Sequence, residues 1–162
     1  MKYTYYLGIA ALIVAWGAIV IAIIINPWWN IMEGNLSQLG SSKVIHSYIY
    51  NWGLILSGIL FAIFANSLID STKSRLGAFS AGIYFIASVH LMLVAIFASS
   101  DPHGFASGEF FLLTSVSIFF FGLVLVSDGF KKHGYLSILY FVLALVGSAL
   151  IDFPSNALLE VI

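Results

Sequence analysis

The chain has 162 residues, 61% apolar and 8% charged, with six Lys and Arg against seven Asp and Glu and a formal net charge of -1. That charged fraction is about a third of the usual value for soluble domains. It excludes a disordered segment, a nucleic-acid binder and an ordinary soluble enzyme, because no basic surface or polar shell is available.

The solvent for such a chain is lipid, and the expected class is an all-α integral membrane protein. No cysteine is present, so disulfide, iron–sulfur, thiolate-haem and Cys-zinc chemistry are absent. Crossing hydrocarbon takes about 20 apolar residues at about 1.5 Å each. Five runs are long enough, near 5–25, 47–68, 76–98, 106–127 and 134–151, and predict a five-transmembrane-helix bundle in a single domain. The first run is too long for the apolar core of a cleavable signal, and Asn26-Pro27-Trp28-Trp29 offers no small-residue cleavage site. Pro27 ends that run, since it cannot continue a helix. Trp28 and Trp29 are then expected as interfacial anchors at the headgroup level.

The loop 26–46 is the long one. Trp28, Ile31, Met32, Leu36 and Leu39 recur near helical spacing, and Gly40 suits a helix end. A short amphipathic helix over 28–39 is therefore expected to lie in the interface and cap the outer end of the bundle. The loops around Asp70–Arg75 and Asp128–His133 are short and basic and read as connectors. Lys2, Lys73, Arg75, Lys131 and Lys132 fall on one side and only Lys43 on the other. Positive charge is retained on the cytoplasmic side, so the N-terminus is expected inside and the C-terminus, after five crossings, outside the cell membrane. Glu33, Asp101, Glu109, Asp152 and Glu160 lie on or near the outer face, with Asp70 and Asp128 inside.

Small residues four apart let helix backbones approach in lipid. Gly53/Ser57, Gly77/Ala81, Ala78/Gly82 and Ala144/Ser148 have that spacing and are expected to pack the bundle internally.

Few polar residues interrupt the apolar runs. His90 stands about nine residues before the outer end of the third run, roughly 13 Å deep. A polar group at that depth faces the bundle interior and needs a partner. A neighbouring helix or the outer cap is expected to supply it, with Asn51 and Glu109 nearest in depth. Ser99-Ser100-Asp101-Pro102-His103-Gly104 reads as a turn, with Asp101 capping the fourth helix and Glu109 in its first turns, favoured by the helix dipole. Asp101, His103 and Glu109, with His90 below them, are also ligand types for a divalent ion, but no H-E-x-x-H or similar tight spacing is present, and neither a metal nor a cofactor is expected. Asn51, about one turn into the second helix, is expected to bond the backbone of the capping loop. Asn35 and Ser37 complete this outer polar cluster, and Asn35-Leu36-Ser37 matches a glycosylation sequon.

Asn35-Leu36-Ser37-Gln38-Leu39-Gly40, then Asn51-Trp52-Gly53-Leu54 and Gly58, resemble the membrane family numbered 998 among the domains of unknown function. There, a loop ending in Ser-x-Leu-Gly leads to a helix opening with Asn-x-Gly-Leu. Phe97-Ala98-Ser99-Ser100-Asp101-Pro102-His103 and Phe110-Phe111 are similar to its segment between helices three and four. The resemblance implies a multi-span helical bundle and carries no established activity. The family commonly has Asp where Gln38 stands here, and its members usually continue into a sixth helix.

No nucleophile elbow, phosphate loop or dinucleotide fingerprint occurs. The expected function is non-catalytic: an accessory subunit of a membrane complex or a lipid-binding protein, with membrane lipids and other membrane subunits as partners and no nucleic acid. One alternative is an outer-leaflet lipid-processing enzyme using His90, Asp101, His103 and Glu109. Another is a small-solute carrier, for which only His90 and the hydroxyls of Ser57, Ser80, Ser88, Thr114, Ser115 and Ser117 offer a path. Such hydroxyls mostly bond their own helix backbone. The topology has a direct test. Single cysteines introduced as Lys73→Cys and Asp101→Cys should label from opposite sides of the membrane, and labelling from the same side refutes the orientation.

Overall fold

The computed structural model describes residues 4–98 and 100–150. Among them are five α-helices, α1 (Tyr5–Ile25), α2 (Ser47–Ser71), α3 (Arg75–Ile96), α4 (Pro102–Ser127) and α5 (Lys131–Leu150), and no strand. The helices α1 to α4 are each long and apolar enough to cross a membrane. The expected end of the fifth run at Ile151, and the chain beyond it, lie outside the described residues.

Local chemistry sets the helix ends. Pro27 follows α1, and Asn26 turns its amide back to donate to the Ala22 carbonyl at 2.8 Å. Ser74 caps α3, accepting from the Gly77 amide at 2.9 Å. After α4, Gly129 takes a positive φ of 91°, and the Phe130 amide reaches back to the Leu125 carbonyl at 2.8 Å. Glycine adopts this left-handed turn without steric penalty, so α5 can fold back on α4.

Two expectations are corrected. The stretch 28–39 is not a helix. Its regular structure is one 3-10 turn, Leu36–Gly40. Asn30 breaks the segment: its side chain accepts from the Met32 amide at 3.0 Å, and its carbonyl accepts from Glu33 and Gly34. Asn and Gly favour such local turns over a continuing helix. The segment is nonetheless compact, with Trp29, Leu36 and Leu39 buried. The second correction is the start of α4, at Pro102 rather than near 106. Proline at the first helical position forfeits no intrahelical bond, because that N–H would be unpaired anyway.

Packing follows chain order: α1 on α2, α2 on α3, α3 on α4 and α4 on α5. The seams are made of small residues. Ser57 on α2 donates to the Ala11 carbonyl of α1 at 2.8 Å. Ser80 and Ser117 exchange bonds between α3 and α4, each hydroxyl donating to the other's carbonyl at 2.8 and 3.0 Å. All three serines are fully buried. A Cβ on Gly134 would come within 2.6 Å of the Gly122 carbonyl, so α4 and α5 touch backbone to backbone. Of the small-residue pairs, Gly53 and Ser57 both face α1. Gly77 instead sits under the α3 cap, against Thr72 and Ser74, and a methyl added at Gly82 would point into open space.

A methyl added at Gly53 would overlap the Ala18 Cβ on α1. Gly53→Ala should therefore destabilise the folded protein by about 1–3 kcal/mol, as overpacking does. Ala18→Gly in the same chain should restore most of the loss, read as thermal unfolding in detergent. Failure of the pair to compensate contradicts this seam.

Candidate functional site

A cavity of about 680 Å3 lies between α1 and α4, with α2 and α3 behind it. Such a volume is usual for small-molecule sites, about 300–1,000 Å3. On α4 it is bordered by His103, Ser107, Phe110, Phe111, Thr114, Ser117, Ile118, Phe121 and Leu125, which form one face of the helix. Leu12, Ala15, Trp16 and Ile19 border it from α1, Leu54, Phe61 and Phe64 from α2, and Tyr84, Leu91 and Val94 from α3. No Asp, Glu, Lys or Arg among the described residues borders it. It opens sideways, because Leu12 and Trp16 on one rim and Phe111 on the other are exposed.

Ring contacts hold its back wall. Tyr84 meets Phe61 and Phe64 edge-on at centroid distances of 5.6 and 6.3 Å. Thr114 contributes a buried hydroxyl with no hydrogen-bond partner among the described residues. An unpaired buried hydroxyl is unfavourable, and here it borders a cavity.

The outer polar residues do not converge. His90 is half-buried and bonds within its own helix, its Nδ1 3.0 Å from the Ile86 carbonyl, with the Phe105 ring beside it at 6.3 Å. The expected bond to Asn51 or Glu109 is absent, and the backbone one turn away pairs Nδ1 instead. His103 does cross between helices: its Nδ1 lies 3.1 Å from the Val94 carbonyl of α3. Asp101 is exposed and its side chain makes no cap. Glu109 lies well past the first turn of α4, because that helix starts early, so the dipole argument no longer applies to it. Among the described residues no three His, Asp or Glu side chains gather to hold a metal.

Asn51 behaves as its position implies. Its Nδ2 donates to the Gly40 carbonyl at 2.9 Å and pins the 3-10 turn to α2. Its Oδ1 is buried and unpaired beside a smaller hollow of about 290 Å3 lined by Gly40, Ser42, Ser47 and Ser100. Ser37 is buried in the 3-10 turn, and the Asn35 carbonyl accepts from Trp29 Nε1 at 3.0 Å. Trp29 is thus no surface anchor. It is 8% exposed, packed under its own loop. Trp28 remains outside, 56% exposed, with Nε1 bonded to Asn26 Oδ1 at 2.9 Å. Sequence reading missed the cavity, whose lining is mostly ordinary apolar side chains drawn from all five helices and the first loop. The one signal available was the spacing of His103, Ser107, Thr114 and Ser117, which fall on the same face of α4 as Phe110, Ile118, Phe121 and Leu125.

The model of a protein family of unknown function, DUF998, matches residues 9–160, nearly the whole chain. The chain belongs to that family. No curated protein and no solved structure matches it.

The Asn51 bond gives a stability test. Asn51→Leu leaves the Gly40 carbonyl unpaired while removing the unpaired Oδ1, so the net loss should be modest, about 1 kcal/mol. Amide exchange over Leu36–Gly40 should rise at the same time. Unchanged exchange there would mean that the turn docks without Asn51.

Proposed function

We propose, starting from a family without an assigned function, that this chain is a lipid-binding protein of the cell membrane. It crosses five times, α5 included, with its N-terminus cytoplasmic and its C-terminus outside. The exposed apolar residues of α5, Leu136, Leu139, Leu143 and Val146, support a lipid-facing helix. The basic residues support the orientation: Lys73, Arg75, Lys131 and Lys132 share the end of the bundle opposite Lys43.

The observation that carries the reading is the laterally open cavity with an uncharged, mostly apolar wall. Apolar surface facing such a space is stabilised by an apolar occupant. Membrane lipids are the partners at hand, and the sideways opening gives them a path from the bilayer. As an accessory subunit, the protein would offer the same opening to a partner's helix. The scatter of His90, Asp101 and Glu109 gives no support to the metal or acid–base alternative.

Gentle purification followed by native mass spectrometry tests this. The protein should retain lipid. Ala15→Phe, which fills the cavity from α1, should release it while the thermal unfolding temperature stays within a few degrees. Retention of a protein partner in place of lipid favours the accessory-subunit reading. Lipid held equally by both chains would place the binding elsewhere.

A further inference from the structure

The nature of the lipid can be narrowed, an inference that rests on the lipid-binding reading above. The α4 wall of the cavity runs from His103 to Leu125, about 33 Å of helix. A wall of that length accommodates one hydrocarbon chain lying extended along α4, with its head at one end.

The wall also has a chemical direction. Where the first loop packs, His103 and Ser107 stand one turn apart on α4 and both border the cavity. His103 Nδ1 faces the Val94 carbonyl. A carbonyl only accepts, so Nδ1 carries the hydrogen, and in the neutral ring Nε2 is left as an acceptor. The Ser107 hydroxyl has no hydrogen bond among the described residues. Farther down, the wall is mostly aromatic and aliphatic, interrupted by Tyr84 and Thr114 at mid-depth and by Ser117 and Ser137, whose hydroxyls already donate to the Ser80 and His133 carbonyls.

We propose that the cavity holds a single-chain lipid with an uncharged, hydroxyl-bearing head. The chain lies along α4, and a head hydroxyl donates to His103 Nε2 with Ser107 as the second partner. An anionic head meets an acceptor nitrogen and no Lys or Arg, and a cationic head meets no carboxylate. Removing either kind of charge from water without a counter-charge is strongly unfavourable. A hydroxyl head, in contrast, is satisfied by one acceptor and one hydroxyl.

Trp16 borders the cavity and supplies a readout. The full chain in detergent is titrated with monooleoylglycerol brominated on its chain, with the corresponding ionised fatty acid, and with the corresponding lysophosphatidylcholine. Bromine should quench fluorescence saturably, and Trp16→Phe should abolish that component. The glycerol ester should bind at least about tenfold more tightly than either charged lipid, a difference of about 1.4 kcal/mol. His103→Phe should cost the ester about tenfold and leave the fatty acid unchanged, and Ser107→Ala, which leaves the Val94 contact in place, should cost about threefold. Equal affinity for the three lipids, or an ester affinity indifferent to both substitutions, overturns this inference and leaves lipid binding standing. Absence of Trp16-dependent quenching by all three overturns lipid binding in this cavity as well.

Discussion

Hydrocarbon offers no hydrogen bonds, so a polar group buried there is costly unless the protein itself supplies a partner. Three serines turn that requirement into architecture. Ser57 ties α2 to the Ala11 carbonyl of α1, and Ser80 and Ser117 tie α3 and α4 to each other's backbone. A side-chain hydroxyl reaches a neighbouring carbonyl only when the two helix backbones lie close together. Between lipid-soluble helices there is no hydrophobic drive to bring them there, so close packing and these bonds set the register. The glycines at the same seams, Gly53 facing Ala18 and Gly122 facing Gly134, leave the room that the approach needs.

The cavity follows from where such seams exist. On α4, Ser117 faces α3 and Gly122 faces α5, while Phe110, Phe111 and Phe121 face α1 across the opening. Small residues and hydroxyls close the first two contacts, and bulky rings keep the third from closing in the same way. Because helices pack on their neighbours in chain order, α1 and α4 end up bordering the same space without such a seam. His103 then links the two roles of the loop end. It braces α4 against Val94 of α3 and borders the opening of the bundle.

The loop between α1 and α2 depends on individual bonds rather than on periodicity. The apolar spacing from Trp28 to Leu39 was compatible with a helix, yet Asn30 and Gly34 take the backbone into turns, and Trp29 donates to the Asn35 carbonyl. The buried set that results, Trp29, Leu36 and Leu39, comes from the same apolar residues arranged differently. Asn51 was readable because a polar residue one turn inside an apolar helix has few backbone groups within reach other than those of the adjoining loop. His90 was misread for a related reason. Depth alone demands a partner, and the carbonyl of Ile86 in its own helix meets the demand without any neighbour.

By itself, the sequence determined the class of solvent, the helical class, the approximate bounds of the long apolar runs and the family, because run length and composition are properties of a continuous segment. The family's short motifs lie along the chain in the same way. Only the tertiary structure decided which serines bridge helices, which tryptophan is buried, and that the bundle leaves an uncharged cavity between α1 and α4. Those outcomes depend on the rotation of each helix about its axis. In a chain whose helices are apolar nearly all round, no polar face records that rotation, and it is set by where small residues allow backbones to meet.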